Sequence, residues 1–406
     1  MIELFLLLCL IGIFCTFGEV EKEQVYDFTF AGAGAATLQI VEKLMQSGDF
    51  TDKQLLILEQ NPNKENDRTW CFWETKTNTQ WSEHIVKEWD NISFRSTKLS
   101  LKEQISPLSY KMMRSGSYYA SMRTLIEQSN NITLKYEGVA SFEEHESGVR
   151  ITTNKKTYGT KLFFNSIFDW QVVQQQKRYP VLQQHFVGWF IKTQKPHFDA
   201  DSATFMDFTV AQKDSTRFMY VLPSNETEAL IEYTLFSKEK LKPAAYEREL
   251  RAYLSEKDIR DYTIEEREAG SIPMTCYPFA KHNSKRILHI GSAGGWTKPS
   301  TGFTFSFIER KATALVDFLK SNTDMRQFEK RNRFWWYDLL FLDVLARHNH
   351  KGSFLFSRMF EHNKPARIFR FLEERSSPKE EVQIMRSFPL GLFVGQVFRR
   401  LLRTFH

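Results

Sequence analysis

The feature that most constrains this chain is a glycine loop set between a strand pattern and a helix pattern. Residues 25–30 (VYDFTF) are rich in β-formers and run into Ala31-Gly32-Ala33-Gly34. Residues 35–46 then place Leu38, Val41, Leu44 and Met45 at spacings of three and four, the period of a helix with one buried face. Ser47-Gly48-Asp49 stops that helix, and residues 54–59 (QLLILE) read as a second buried strand. A strand, a glycine turn, a helix and a second strand make a βαβ unit. Glycines in its first turn let the backbone approach a pyrophosphate, which the free N–H groups at the helix N-terminus attract.

The loop Gly32-Ala33-Gly34-Ala35-Ala36-Thr37 is a variant of the dinucleotide fingerprint, with Thr37 in place of the third glycine. Glu59 ends the second strand 22 residues beyond Thr37, near the spacing expected of an acid that grips a ribose hydroxyl. That pattern alone does not separate FAD from NAD. A late strand, residues 286–290, feeds a second loop, Gly291-Ser292-Ala293-Gly294-Gly295, then Thr297 to Gly302 and a helical stretch at 303–319. A second glycine-rich strand-to-helix turn is what large flavoproteins use to close their site, so FAD is the expected cofactor.

Between these halves the pattern changes to alternating strands, among them residues 149–153, 186–193, 216–222 and 229–236. The expected architecture is α/β. A Rossmann-like FAD-binding domain (25–110 and 285–320) carries an inserted antiparallel-sheet substrate domain (111–284), and a helical, basic-aromatic, membrane-associated region (321–406) follows. Residues 4–17 form an uncharged apolar run of 14, short of the roughly 20 that span a bilayer, so 1–24 is a leader that reads equally as signal, anchor or start-site artefact.

Charge and composition narrow the partners. The net +6 is concentrated at the C-terminus, where residues 321–406 hold 16 Lys/Arg against 9 Asp/Glu. Residues 386–405 mix four Arg with Phe, Leu and Val and contain no acid, the composition of an interfacial anchor. No groove-reading motif accompanies the basic residues, so nucleic acid is not an expected partner. Four dispersed Cys and the pair His348 and His350 lack ligand spacing, so no metal site is expected. The 36 Phe, about twice the usual share, suit a site with aromatic walls.

In residues 229–236 (ALIEYTLF) a period of two puts Glu232 on one face with Leu230, Thr234 and Phe236. Such neighbours would strip water from the carboxyl and raise its pKa, giving an acid able to protonate an alkene. An edge-strand Glu pointing to water fits the same pattern.

Taken together, Asn66-Asp-Arg-Thr-Trp-Cys-Phe-Trp-Glu74, Phe205-Met-Asp-Phe208, Tyr220-Val-Leu-Pro223, Leu230-Ile-Glu-Tyr-Thr234, Ile272-Pro-Met-Thr275 and the 291–303 loop resemble the bacterial lycopene cyclases. The resemblance runs from about Tyr26 to the C-terminal region. It implies a flavoprotein that closes the ψ ends of lycopene or a related linear carotenoid into β-rings with no net redox change. It also implies reduced FAD, with NAD(P)H as the source of reducing equivalents, and substrate drawn from a membrane lipid surface by an enzyme peripheral to the cytoplasmic face. Glu232 falls on the first Glu of a Phe-Leu-Glu-Glu-Thr strand motif in the plant branch, and Asp207 is its expected helper. The cofactor residues implied are Gly32, Ala33, Gly34, Ala35, Glu59, Arg68, Gly291, Ser292, Gly294, Gly295, Thr301 and Gly302. The similar Phe371-Leu-Glu-Glu-Arg375 lies outside any strand, and its Glu373 and Glu374 are expected to be surface helix charges. The competing readings are a flavin monooxygenase or prenyl-chain reductase, and a carotenoid- or lipid-binding protein without chemistry.

Overall fold

The strand Val25–Ala31 and the helix Ala35–Ser47 flank the first glycine loop in the computed structural model, which describes residues 25–404. The apolar leader lies outside the described residues. Val25–Ala31 is central in a seven-stranded sheet, parallel to Leu55–Glu59 on one side and to Thr157–Asn165 on the other. Ile132–Tyr136 extends the sheet past Leu55–Glu59, and Ile287–His289 joins it in parallel alongside Thr157–Asn165. The helices Ala35–Ser47 and Phe305–Leu319 cover one face, where Ile40, Val41, Leu44, Ile308, Leu315 and Val316 share a core with Phe28, Phe30 and Phe164. Their apolar stripes at helical spacing produce this packing.

A second seven-stranded sheet runs in the order Tyr262–Met274, Leu182–Thr193, Glu228–Ser237, Thr216–Pro223, Ser202–Asp207, Asn91–Arg95, Ser100–Gln104. All its pairings are antiparallel except that of Ser202–Asp207 with Asn91–Arg95. A small sheet of Thr69–Thr75, Leu108–Arg114 and Ile85–Trp89 stands between the two.

The sheets do not divide at residues 110 and 285. Residues 149–153, expected in the inserted sheet, pair with Thr157–Asn165 and so belong to the nucleotide sheet. Residues 91–104, expected in the nucleotide half, build the edge of the substrate sheet. Alternation of polar and apolar residues identifies a strand but not the sheet it joins, because pairing is decided by contacts remote in sequence.

The C-terminal region is helical as expected, with Arg333–His348, Gly352–His362, Pro365–Leu372, Pro378–Ser387 and Leu390–Thr404. Much of it is core rather than appendage. Leu339, Phe356, Phe360 and Phe369 pack in one cluster with Phe205, Phe208, Phe236 and Trp73. Trp73 and Phe369 stack at 4.4 Å, and the Trp73 Nε1–H donates to the Phe369 carbonyl at 3.1 Å. Among the described residues the last helix turns an apolar stripe outward, through Leu390, Val394, Val397, Phe398 and Leu401. Its inner side is fixed by Arg400, whose Nε and Nη2 donate to the two oxygens of Asp343 at 2.6 and 2.7 Å. Among the described residues no helix is long and apolar enough to cross a membrane, and no group of three His, Cys, Asp or Glu is placed to hold a metal.

Glu373 and Glu374 are not surface charges. Glu373 is buried and accepts from Arg310 Nη1 at 2.5 Å, while Glu374 accepts from Lys298 Nζ at 3.0 Å and from Asn332 at 2.6 Å. The helix ends at Leu372, and Glu374 takes a left-handed conformation (φ 59°), which turns both carboxylates back toward the second glycine loop and its helix.

Candidate active site

The first loop is built as its glycines require. Gly32 has φ +88°, and a Cβ there would meet Ser166 Oγ at 2.5 Å. Gly34 caps the helix in extended conformation with no side-chain cap, so the first N–H groups face the cavity rather than a Ser or Asp oxygen. Glu59 closes the loop from behind: Oε2 accepts from the Ala33 N–H at 2.7 Å, and Oε1 from the Asn61 N–H at 2.9 Å. These bonds and nearby Lys64 hold its carboxyl below the usual range, although partial burial works against them. Thr37 is fully buried with its Oγ1 unpartnered, so the third-glycine position tolerates a small side chain against the sheet.

The second loop faces the first. Gly291 (φ +57°) would place a Cβ 3.2 Å from the Ala36 methyl, and Gly302 (φ +74°) would meet Gln184 Oε1 at 2.3 Å. Trp296 turns away from the site, fully buried in the nucleotide core, and donates to Glu329 at 2.8 Å.

Between the loops and the second sheet lies a cavity of about 460 Å³, within the range that holds organic ligands. Gly34, Ala35, Arg68, Gly291, Ser292, Thr301, Gly302 and Glu232 all line it. Gly32, Ala33, Glu59, Gly294 and Gly295 are outside that lining and shape the loops that border it. Thr301 Oγ1 and Gln184 Oε1 are buried in this wall without partners. Orphaned polar atoms, glycines that admit no Cβ and a bare helix N-terminus fit a ligand with a pyrophosphate and a polar ring edge, as FAD has.

The far wall is one face of the second sheet. Residues paired directly across strands share a face, and the row Tyr220, Glu232, Gly188, Glu268 runs across four adjacent strands. The strand Glu228–Ser237 is central and buried on both sides, which excludes an edge-strand Glu pointing to water. Glu232 is 9% exposed and accepts a hydrogen bond from the Thr234 hydroxyl. Burial first, and then the charge of Glu268, push its pKa up to about 8. Cys71, Tyr110 and Tyr220 stand around it in the cavity wall, and burial raises the pKa of all three, so near neutral pH they are uncharged.

Asp207 is not at this cavity. It pairs with Met219, which pairs with Tyr233, and that row is one residue out of step with Glu232. Asp207 therefore sits on the opposite face, beneath the helix Pro243–Glu256, where it accepts from Tyr253 at 2.9 Å and from the Thr209 hydroxyl at 2.6 Å. Sequence reasoning missed Glu268, Tyr110 and Cys71. Glu268 stands in a run of charged residues (TIEERE) that gives no sign of a buried face.

The lycopene cyclase protein family matches this chain across residues 27–397. The chain belongs to the lycopene cyclase family. A lycopene beta-cyclase of Pantoea ananas is 24% identical over 305 residues, 73% of this chain and 74% of its own length. Another, from a Paracoccus species, is 27% identical over 168 residues, 39% of this chain and 42% of its own. Among solved structures, a geranylgeranyl bacteriochlorophyll reductase-like protein from Thermoplasma acidophilum superposes with a TM-score of 0.64 at 11% identity, covering 90% of this chain and all of that one. The halogenase PltM, in a mutant form in complex with FAD, superposes at 0.58 with 12% identity, covering 93% and 95%. This lycopene cyclase family member thus has the flavoprotein fold: Rossmann-like sheet, inserted antiparallel sheet and C-terminal helices.

Proposed function

We propose that this family member is a lycopene β-cyclase in which Glu232 is the proton donor. The feature that carries the reading is a buried carboxyl, its pKa pushed up to about 8, set among Cys71, Tyr110 and Tyr220 on the cavity wall that the two glycine loops face. Glu232 gives its proton to the terminal double bond of a linear carotenoid, leaving a tertiary cation. The neighbouring double bond attacks that cation, closing a six-membered ring and moving the charge into it. Loss of a ring proton then sets the β double bond, so the product is an isomer of the substrate. Tyr110, Tyr220 and Phe303 supply ring faces that favour a cation, on the order of 0.5 to 2 kcal/mol each where water is excluded.

FAD is the cofactor these residues suit. The N–H groups at Gly34 and Ala35 and the Arg68 guanidinium would hold its pyrophosphate, and Gly291, Ser292, Thr301 and Gly302 would lie along the remainder. In its reduced form, kept so by NAD(P)H, bound FAD would supply electron density near the cation without being consumed. The outward stripe of the last helix, with Arg399 exposed on it and Arg386 exposed on the helix before, supports peripheral attachment to a membrane, which we propose is at the cytoplasmic face.

Expression in a lycopene-accumulating host followed by pigment chromatography tests the reading. A yellow-orange pigment of unchanged mass supports cyclisation. A product of changed mass places the chain with the flavin monooxygenases or prenyl-chain reductases instead.

A further inference from the structure

Gly188 lies opposite Glu232 on one neighbouring strand and opposite Glu268 on the other. With each directly opposed pair about 5 Å apart at Cα, the two acids flank a gap above Gly188 that the Leu230 side chain shares, its Cδ1 2.9 Å from where a Cβ would stand. Glu268 leans into that gap: a Cβ at Gly188 would lie 3.2 Å from Glu268 Cγ and 3.4 Å from its Oε1. The carboxyl is held from the far side. The Thr69 hydroxyl donates to Glu268 Oε2 at 2.6 Å, Arg114 Nη1 donates to Thr69 at 3.1 Å, and Nη1 stands 3.8 Å from Glu268.

We propose that Glu268 is a positioning residue for the reaction, the ionised half of a carboxyl pair that keeps the proton on Glu232. This rests on the reading of Glu232 as the acid. Around Glu232 stand Cys71, Tyr110, Tyr220 and Thr234, none of them cationic, and a like charge across Gly188. Burial first, and then Glu266, itself paired with Arg114, raise the Glu268 pKa, but unlike Glu232 this carboxyl has the Thr69 hydroxyl, Arg114 and Arg68 to favour its charged form. Two buried carboxyls facing each other across one intervening strand do not both ionise readily, and the charge settles where the cations are. When Glu232 has given its proton to the substrate, the pair carries two negative charges. That repulsion draws onto Glu232 the proton that the ring loses, so one proton is given and one regained and the cycle returns to its starting protonation.

The test is infrared titration of the protonated-carboxyl band in the purified full chain, run beside the pH dependence of cyclisation on lycopene-loaded vesicles. The band should be absent in Glu232→Gln. In Glu268→Gln its midpoint should fall by about one pH unit, and the alkaline limb of activity should move down with it. Glu268→Asp, which restores the charge, should return both toward wild type. Should Glu268→Gln fail to fold, Thr69→Val removes the hydroxyl that holds the Glu268 charge and should lower the midpoint likewise. An unmoved midpoint in these variants overturns the pair while leaving Glu232 as the acid. Wild-type activity in Glu232→Gln overturns the acid, and the pair with it.

Discussion

Lys298 Nζ lies 2.8 Å from the Asp338 carboxylate, and this buried pair ties the second glycine loop to the first C-terminal helix. Glu374 adds a second contact to the same ammonium at 3.0 Å, and Ser300 donates to Asp338 at 2.7 Å. A buried ammonium stripped of a partner is costly, so Asp338→Ala should lower stability by about 3 kcal/mol. Because the loop lines the cavity, the purified variant should also carry less flavin. Thermal melts and the flavin absorbance check both.

Glu232→Gln keeps the volume and the Thr234 contact but removes the acidic proton. The variant should fold and retain the cofactor while cyclisation falls by at least about 100-fold, the lower end of what general acid catalysis contributes. Pigment chromatography from a lycopene-accumulating host measures the loss.

The pH dependence has a definite sign. Burial raises the Glu232 carboxyl to about 8, and an acid that donates to the substrate acts in its protonated form. Activity should hold below pH 8 and fall as pH rises through it. The same shift links to stability: a carboxyl that binds its proton more tightly folded than unfolded stabilises the fold at low pH. That contribution is lost between the ordinary Glu range and pH 8. Chemical denaturation at pH 6 and pH 9 should show the difference in wild type and not in Glu232→Gln.

Gly32→Val should abolish flavin retention. The position needs φ +88°, which a β-branched residue adopts only with strain, and its Cβ would meet Ser166 Oγ at 2.5 Å. The backbone strain alone costs about 1 to 3 kcal/mol. Flavin content of the purified variant, set against its thermal midpoint, separates lost binding from lost fold.

The last helix should carry membrane affinity. Leu390, Phe398 and Leu402 are each more than 60% exposed. Burying such side chains in the interfacial region contributes roughly 1.5 to 3 kcal/mol apiece. Replacing all three with Ser should lower co-sedimentation with anionic vesicles by more than about tenfold. The Arg400 to Asp343 tie, untouched, keeps the helix in place.

The first glycine loop, the two helices of the nucleotide core and the buried strand of Glu232 were legible in the sequence because each is specified locally. Gly32 answers to its own φ, Ala35–Ser47 to a 3.6-residue period, and Glu228–Ser237 to a period of two. The sequence could not say that Glu232 faces a cavity rather than water, since that depends on Leu182–Thr193, far earlier in the chain, coming to pair on the side opposite Thr216–Pro223. The same gap explains Asp207, one row out of step and so on the wrong face, and Glu268, whose charged strand gives no sign of burial. Glu373 and Glu374, read as surface charges, are turned inward by a left-handed residue at a helix end. Local pattern thus determined which elements form and where the nucleotide loop lies. Tertiary register decided which carboxyl stands across from Glu232, because side chains from remote strands share a face only once the sheet has been assembled.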